Sequence, residues 1–208
     1  MEKNYNFHGY INEIVQCIMA TFLIGVGVAI FISCELGSDS LTVFLDGMNR
    51  YFGFSVSLVN QIAAIIILIL AIKLNREAIG INTVVSALTV GLCIEVGYHL
   101  IIPFHISKQS LIIRMIIIFF AQIMLSIGYA WMQTFNHGMS YSDAMLYGVA
   151  KKIKVDYIYI RYIYDFSFFF IGVALGGVIG IGTLFSISTL GYFISMFKKI
   201  IDNLRVKV

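Results

Sequence analysis

The sequence predicts an all-α membrane protein in which six transmembrane helices form two inverted-topology repeats of three helices each. Apolar residues make up 60% of the 208 residues and charged residues only 12%. Apolar runs recur at about the 20-residue length that crosses a bilayer, and one glycine-containing block occurs twice, about a hundred residues apart. We expect residues 1–208 to form a single membrane domain, with a short amphipathic or re-entrant helix after the first span of each repeat.

The composition indicates a surface that faces lipid. A soluble domain carries about 25% charged residues, roughly twice the fraction found here. The net charge of +3 falls in loops and in the C-terminal tail, so it does not indicate a nucleic-acid interface. The three cysteines lack Cys-x-x-Cys spacing, which predicts neither a disulfide framework nor a metal site. We therefore expect the lipid bilayer as a partner, and no nucleic acid, metal or cofactor.

The duplicated block occupies Ile79–Ile94 and Ile179–Ile194, where eight of sixteen positions are identical. Apolar bias alone does not place two glycines, two threonines and a serine in register. Upstream, Gly37 aligns with Gly138 at an offset of 101. The sequence therefore predicts repeat one at about residues 14–102 and repeat two at about residues 111–200.

In repeat one, Glu13–Ser33 is the first predicted span. Leu36–Phe54 mixes polar residues with apolar residues at helical spacing, which predicts a short amphipathic helix at or in the membrane. Ser55–Leu74 is the second span. Gly80–Ile102 is the third, and Pro103 ends it.

In repeat two, Leu111–Phe135 is the fourth predicted span, and Gly138–Lys154 repeats the mixed stretch. Val155–Gly177 is the fifth span and Gly180–Phe197 the sixth, followed by a basic tail. Three spans per unit is an odd number, so the two units cross the membrane in opposite senses.

The distribution of positive charge predicts that both termini are cytoplasmic. With six spans, most Lys and Arg residues fall on the side of the termini, and that side is cytoplasmic by the positive-inside rule. Those residues are Lys3, Lys73, Arg76, Lys151, Lys152, Lys154, Lys198, Lys199, Arg205 and Lys207.

Charged residues inside apolar spans are the first functional candidates, because each costs about 2.5–3.5 kcal/mol to insert. Arg161 and Asp165 stand at i and i+4, so they lie on one helix face and can pair. Tyr157 and Tyr164 flank the arginine on that face. Two interpretations stay open: a neutralised pair that fixes helix packing, or a substrate or ion pathway.

Other polar residues allow the same two interpretations. Glu95 lies in the third span, either hydrogen-bonded to a neighbouring helix or in contact with a substrate or proton. Asn60 in the second span and Thr183 at the start of the sixth are further pathway candidates. Asp143 is also a pathway candidate, although we expect it, like its counterpart Thr42, to cap a short helix.

The acidic residues Glu35 and Asp39 follow the first span, and we expect solvated loop charges there.

The glycines have a packing and a functional interpretation. Gly172, Gly176 and Gly180 recur every fourth residue, which favours close helix approach. Gly80, Gly180 and Gly182 stand where a broken helix could expose N–H groups to a substrate.

Enzyme chemistry is not predicted. Gly180-x-Gly182 lacks the third glycine and the βαβ context of a dinucleotide site, and His99 and His105 lack the spacing of a helical metal pair. No nucleophile–base pair stands at workable spacing. We therefore assign no catalytic residue.

Several segments together resemble the YczE/YitT-like bacterial integral membrane proteins. They are Leu36–Gly47, Phe52–Val56, Ser142–Asp143, Arg161 with an acid four residues later, and Ile179–Leu184. The resemblance covers nearly the whole chain and implies a multi-pass bacterial plasma-membrane protein of unassigned activity. The chain departs from the family pattern at Thr42, where an Asp is common, and at Tyr192, where Gly191 is commonly followed by Pro.

Two functional hypotheses follow. One is transport-like handling of a small solute between the inverted repeats, motivated by the duplication and by the charges inside spans. The other is a non-transporting regulatory or assembly partner, which would use the glycine surfaces to bind another membrane protein or a second copy of the chain.

Overall fold

The computed structural model describes residues 7–206, and over this range the chain forms α-helices and connecting segments without a β-strand. Three short 3₁₀ turns, Arg76–Ala78, Ile102–Phe104 and Ile106–Lys108, lie in the connections. The eight helices are α1 Phe7–Cys34, α2 Ser40–Phe52, α3 Val56–Leu74, α4 Ile81–Ile101, α5 Leu111–Met132, α6 Tyr141–Ile153, α7 Tyr157–Ala174 and α8 Ile181–Val206. Lys3 and Lys207, which contribute to the predicted orientation, lie outside the described residues.

The predicted helical class is confirmed, and four helices are long and apolar enough to cross a bilayer. Their spans are Ile11–Cys34, Ile81–Phe104, Leu111–Met132 and Ile181–Leu204. The other two predicted spans form the shorter helices α3 and α7, of 19 and 18 residues. The mixed stretches form α2 and α6, and the predicted basic tail continues α8 as helix.

Many large apolar side chains point away from the bundle, which fits a lipid-facing surface. They include Ile62, Ile66, Leu88, Leu92, Ile112, Phe120, Phe170 and Leu184.

Helices α1 and α4 run parallel and in close contact. A Cβ on Gly25 would lie 2.5 Å from the Cys93 carbonyl carbon, and one on Gly97 would lie 3.0 Å from Val26 Cα. Residue numbers therefore rise together along both helices. Backbones this close are possible only because glycine has no side chain.

Helices α1 and α5 run antiparallel. Near the start of α1, the Glu13 carboxylate accepts a hydrogen bond from the Asn136 N–H just after α5. Near its end, the Arg114 guanidinium at the start of α5 donates to the Cys34 carbonyl, with a 2.7 Å bond from Nε. Between them, a Cβ on Gly27 would lie 2.8 Å from Leu125 Cγ. These contacts place α1 at the centre of the molecule, between α4 and α5.

Each short helix packs on a helix from the other half of the sequence. α2 lies on α7, where a Cβ on Gly47 would be 2.6 Å from the Gly172 carbonyl oxygen. α6 lies on α3, where a Cβ on Gly148 would be 3.0 Å from Leu74 Cβ. The chain positions of these pairs correspond under the repeat offset, so the two halves make the same cross-contacts.

The loop after α1 forms a cross-contact that we call the Leu36 clamp, made of Leu36–Ser38 and Gly180–Thr183. The Leu36 carbonyl accepts a hydrogen bond of 2.8 Å from the Gly182 N–H, and the Thr183 hydroxyl accepts one of 3.1 Å from the Ser38 N–H. A Cβ on Gly180 would overlap the Leu36 carbonyl oxygen. This contact explains why glycine is the second residue of the duplicated block.

The loop after α5 forms the corresponding His137 clamp, made of His137–Gly138 and Gly80–Thr83. The His137 carbonyl accepts a hydrogen bond of 3.1 Å from the Asn82 N–H, and a Cβ on Gly80 would overlap the same carbonyl oxygen. His137 also pairs with Glu13 near the start of α1, whereas Leu36 follows its end. The two clamps therefore lie at opposite ends of α1.

The predicted glycine stripe is wrong. α7 ends at Ala174, and Gly176 adopts φ +86° in the following turn, where a Cβ would have no described atom within 4 Å. Gly172 packs on α2, and Gly180 belongs to the Leu36 clamp. The three glycines do not share a helix face, because the helix that the periodicity assumes stops between them.

Candidate functional site

Arg161 on α7 lies in the interior and faces two carboxylates. Only 3% of the residue is exposed. Its Nε donates a hydrogen bond of 3.2 Å to Asp165 Oδ2, and its Nη1 lies 3.5 Å from Asp143 Oδ1. The pairing of Arg161 with Asp165 is the one that their i, i+4 spacing predicts. One buried guanidinium is thus shared by acids from two helices.

Asp165 is bonded through both carboxylate oxygens. Oδ2 accepts from Arg161, and Oδ1 accepts a hydrogen bond of 2.7 Å from the Ser40 hydroxyl in the first turn of α2. The residue is 1% exposed. Because Ser40 belongs to the first half of the chain and Asp165 to the second, this bond joins the halves at the charged site.

Asp143 on α6 is bonded through one oxygen only. Oδ1 accepts a hydrogen bond of 2.7 Å from the Tyr157 hydroxyl, whereas Oδ2 is buried without a hydrogen-bond partner among the described residues. The residue is fully buried. A buried carboxylate oxygen without a donor is unfavourable, which marks Asp143 as the least satisfied acid of the site.

The N-termini of α2 and α6 both reach this site. At α2 an acidic residue is the cap and a hydroxyl residue stands three positions later, and at α6 the order is reversed. Asp39 caps α2 by accepting from the Thr42 N–H at 3.3 Å and the Thr42 hydroxyl at 2.5 Å. Ser140 caps α6 by accepting from the Asp143 N–H at 3.1 Å. The prediction that Asp143 and Thr42 cap these helices is therefore wrong, since each supplies the capped N–H. Capping by Ser140 leaves the Asp143 carboxylate available to Arg161.

Aromatic rings surround the guanidinium. The Arg161 Cζ lies 4.9 Å from the Tyr129 ring centroid and 5.8 Å from that of Tyr164. Tyr157, which the sequence places beside the arginine, instead directs its hydroxyl to Asp143. The Tyr164 hydroxyl is buried without a hydrogen-bond partner among the described residues. We call Asp39, Asp143, Arg161, Asp165, Tyr129 and Tyr164 the buried charge cluster.

A cavity of about 480 Å³ lies beside the Leu36 clamp, and Gly37 and Ser38 of the clamp line it. Its wall includes Ser38 and Thr42, and Thr42 is hydrogen-bonded to Asp39 of the cluster. Asp46 and Arg50 of α2 form an ion pair of 2.9 Å in the same wall. This cavity, which we call the vestibule, therefore has polar and charged side chains in its wall, and one of its lining residues, Thr42, contacts Asp39 of the cluster.

Two stacked tyrosines lie beside Asp143 of the cluster. The Tyr147 and Tyr157 rings lie 4.4 Å apart between centroids. Gln133 bridges their hydroxyls, with bonds of 3.1 Å to each. Lys198 of α8 donates to the Tyr147 hydroxyl at 3.2 Å. We call this set the tyrosine plug, because it connects Asp143, through Tyr157, to Gln133 just after α5.

The remaining predicted residues lie outside the cluster. Glu95 is exposed on the outer face of α4. Asn60 on α3 is 2% exposed, with its amide nitrogen buried without a partner among the described residues. Thr183 and Gly182 belong to the Leu36 clamp. Within residues 7–206, no three His, Cys, Asp or Glu side chains are grouped so that they could hold a metal ion.

Sequence reasoning missed three residues of the site. Asp39, predicted to be a solvated loop charge, is 9% exposed and caps α2. A signal for it exists, since Asp39 aligns with Ser140 at the repeat offset and both precede a short amphipathic helix. Ser40 and Tyr129 give no such signal, because their partners are more than 30 residues away in the chain.

These features define an all-helical protein whose long apolar helices fit a membrane location and whose interior holds a charged site. The chain belongs to DUF6198, a family of unknown function, whose profile matches residues 11–199. It is also similar to an uncharacterized protein of Haemophilus influenzae, with 24% identity over 191 residues that cover 90% of this chain and 84% of the relative. No solved structure matches the chain. This membership fits a membrane family of unassigned activity. The resemblance to YczE/YitT-like proteins stays a prediction.

Proposed function

We propose that the protein is a transport-like membrane protein that handles a small solute between two inverted repeats. In this proposal α1, α3 and α4 of repeat one and α5, α7 and α8 of repeat two form six spans. α2 and α6 are re-entrant helices that meet at the buried charge cluster. Both termini are cytoplasmic, so the Leu36 clamp and the vestibule face outward in a bacterial plasma membrane.

The observation that carries the proposal is the convergence of the α2 and α6 N-termini on Arg161. Ser40 of α2 is bonded to Asp165 at 2.7 Å, and Asp143 of α6 lies 3.5 Å from the guanidinium. Interrupted helices that meet at a polar site between inverted repeats are typical of secondary transporters. The antiparallel contact of α1 with its counterpart α5, and the clamps at opposite ends of α1, support the inverted arrangement.

The vestibule and the tyrosine plug support one open and one closed route to the cluster. The vestibule reaches Thr42, whereas Gln133, Tyr147 and Tyr157 close the other side. Alternating access requires this asymmetry, with opening of the plug when the vestibule closes. We assign no catalytic role to any of these residues.

Thiol labelling tests this proposal without knowledge of the solute. In a background with the three native cysteines replaced, Ser38→Cys in the vestibule and Gln133→Cys in the plug are exposed to a membrane-impermeant maleimide. We expect the first to react from outside and the second from inside. Ile118→Cys is the matched control and should react from neither side, because Ile118 is buried on the face of α5 that packs against Gly182 of α8. A Gln133→Cys variant that never reacts would overturn the alternating-access proposal.

A membrane partner protein is the second candidate function, and Glu95 is the observation that favours it. Glu95 is exposed among the exposed apolar side chains Leu88, Leu92 and Val96 on α4. A carboxylate on a lipid-facing surface is unfavourable unless another protein covers it. If this hypothesis is correct, a second protein or a second copy of the chain co-purifies stoichiometrically, and Glu95→Leu releases it. A monomeric wild-type protein in mild detergent would contradict it.

A further inference from the structure

The buried charge cluster contains more negative than positive charge. Three carboxylates, of Asp39, Asp143 and Asp165, face one guanidinium, and each of these residues is at least nine-tenths buried. Isolated charges are strongly disfavoured in an apolar interior, so a buried acid without a counter-charge takes up a proton or binds a cation. The cluster therefore needs positive charge beyond that of Arg161.

The hydrogen bonds locate the excess charge at Asp143. Asp165 is bonded through both oxygens, to Arg161 and to Ser40. Both oxygens of Asp39 are occupied in capping α2, where the helix N-terminus stabilises a carboxylate. Asp143 alone of the three leaves one oxygen, Oδ2, without a partner among the described residues.

A separate group also points to an occupant of the cluster. The Tyr164 hydroxyl has no hydrogen-bond partner within residues 7–206, although the residue is only 8% exposed and its ring lies beside Arg161. Buried tyrosine hydroxyls normally have partners. Among the described residues the cluster thus contains an unbonded acid oxygen, an unbonded hydroxyl and the Arg161 Nη1, which faces Asp143 at ion-pair distance without a hydrogen bond, and all three are shielded from solvent.

We propose that Asp143 binds and releases the proton that drives the solute handling described above. A proton needs a single free carboxylate oxygen, whereas a metal ion needs several ligands, and no suitable trio of ligating side chains is present in residues 7–206. Binding converts the Asp143 carboxylate into a neutral carboxylic acid by forming one O–H bond at Oδ2, and no other covalent bond changes. The inference rests on the proposed function.

Protonation changes the competition for Arg161. When Asp143 is ionised, it and Asp165 both attract the guanidinium, which holds α6 against α7. When Asp143 is neutral, Arg161 stays paired with Asp165 on its own helix, and the attraction between α6 and α7 weakens. The tyrosine plug joins the same two helices through Tyr147 and Tyr157. Protonation of Asp143, which weakens its attraction to Arg161, therefore favours opening of the plug.

The helices packed around Asp143 differ in the titratable groups that they direct toward it. On α3 and α4, Lys73 and Glu95 are exposed and Cys93 faces α1, so these groups lie away from Asp143. The groups nearer the cluster are Tyr129 of α5, Tyr141 and Tyr147 of α6, Tyr157, Arg161, Tyr164 and Asp165 of α7, Lys198 of α8, and Asp39 before α2.

Infrared difference spectroscopy of the purified full-length protein tests the assignment. A protonated carboxylic acid has its own carbonyl stretch, separate from that of a carboxylate. We expect this band in the pH-induced difference spectrum of wild type. We expect Asp143→Asn to lose it, and Asp39→Asn and Asp165→Asn to keep it. Persistence of the band in Asp143→Asn, or its absence from wild type at every pH, would overturn the proposal.

Further measurements distinguish loss of the proton site from loss of the fold, and a bound proton from a bound sodium ion. Asp143→Glu should keep a carboxylic acid band at a changed frequency, which distinguishes loss of the proton site from loss of the fold. Titrations in sodium chloride and in choline chloride should agree, and a band that appears only without sodium would overturn the proton in favour of a sodium ion. The thiol labelling is read on the same samples. If Ser38→Cys and Gln133→Cys react from their expected sides but the carboxylic acid band is absent, the proton site is rejected and the transport proposal stands. If the band is present but labelling occurs from one side only, the transport proposal is rejected and Asp143 stays a proton site without a role in transport.

Discussion

Replacement of Gly180 by alanine should destabilise the protein, because it introduces a methyl group into the Leu36 clamp. The Cβ would overlap the Leu36 carbonyl oxygen, and backbone rather than a flexible side chain is in the way. The start of α8 must therefore move away from the loop. The movement breaks the 2.8 Å bond from the Gly182 N–H and the 3.1 Å bond from the Ser38 N–H to Thr183.

The expected loss follows from these contacts. Each lost hydrogen bond costs about 0.5–1.5 kcal/mol, and overpacking costs about 1–3 kcal/mol. Alanine also reduces the conformational entropy of the unfolded chain, which offsets about 0.4–1 kcal/mol of this loss. We therefore expect the free energy of unfolding to fall by about 3 kcal/mol in Gly180→Ala. The corresponding Gly80→Ala should show a similar loss, because its Cβ would overlap the His137 carbonyl oxygen.

The assay is reversible unfolding in mixed micelles of increasing denaturing-detergent fraction, followed by circular dichroism. Gly191→Ala, within the α8 helix that Gly180 precedes, is the matched control, because its Cβ would meet Arg161 Cγ at an ordinary 3.5 Å. It should be neutral or slightly stabilising, since alanine is the better helix former. A Gly180→Ala variant as stable as Gly191→Ala would refute the account of the clamp.

Three further predictions concern single side chains, measured by the same unfolding assay. Arg161→Met should lower the free energy of unfolding by about 3–5 kcal/mol, because it leaves buried carboxylates unpaired. The double variant with Asp165→Leu should recover part of that loss. Equal stability of wild type and Arg161→Met would contradict the ion pairing described for the buried charge cluster. Thr183→Val should cost about 1–3 kcal/mol because the buried Ser38 N–H loses its acceptor, and an unchanged midpoint would contradict that bond. Glu95→Leu should change stability by less than about 0.5 kcal/mol because the residue is exposed, and a larger loss would show that another group of the chain contacts it.

Local sequence patterns predicted the local features of this protein. Apolar runs placed the helices, and the mixed stretches became α2 and α6. The i, i+4 spacing of Arg161 and Asp165 predicted their ion pair, because one helical turn fixes their separation. The duplicated block predicted equivalent environments, and the two clamps place Gly80 and Gly180 in corresponding contacts.

Contacts between distant segments could not be predicted from those patterns. Helical periodicity extended the glycine stripe beyond Ala174, but α7 ends there. An acidic residue after a span suggested a solvated loop, yet Asp39 is buried because α7 covers the start of α2. Ser140 rather than Asp143 caps α6, and the Asp143 carboxylate instead faces Arg161 on another helix, a contact that no local pattern indicates.

The sequence by itself determined the helical class and the positions of the apolar helices, because each depends on residues within a few turns of one another. It also showed the duplicated block, because residue identities can be compared without a structure. Only the tertiary structure decided that the loop after α1 holds the start of α8, and that one arginine is shared by two acids. The physical reason is that a buried polar group must find a partner wherever the packed helices place one. In this protein Asp143 finds its partner Arg161 18 residues away along the chain, and Leu36 finds its partner Gly182 146 residues away.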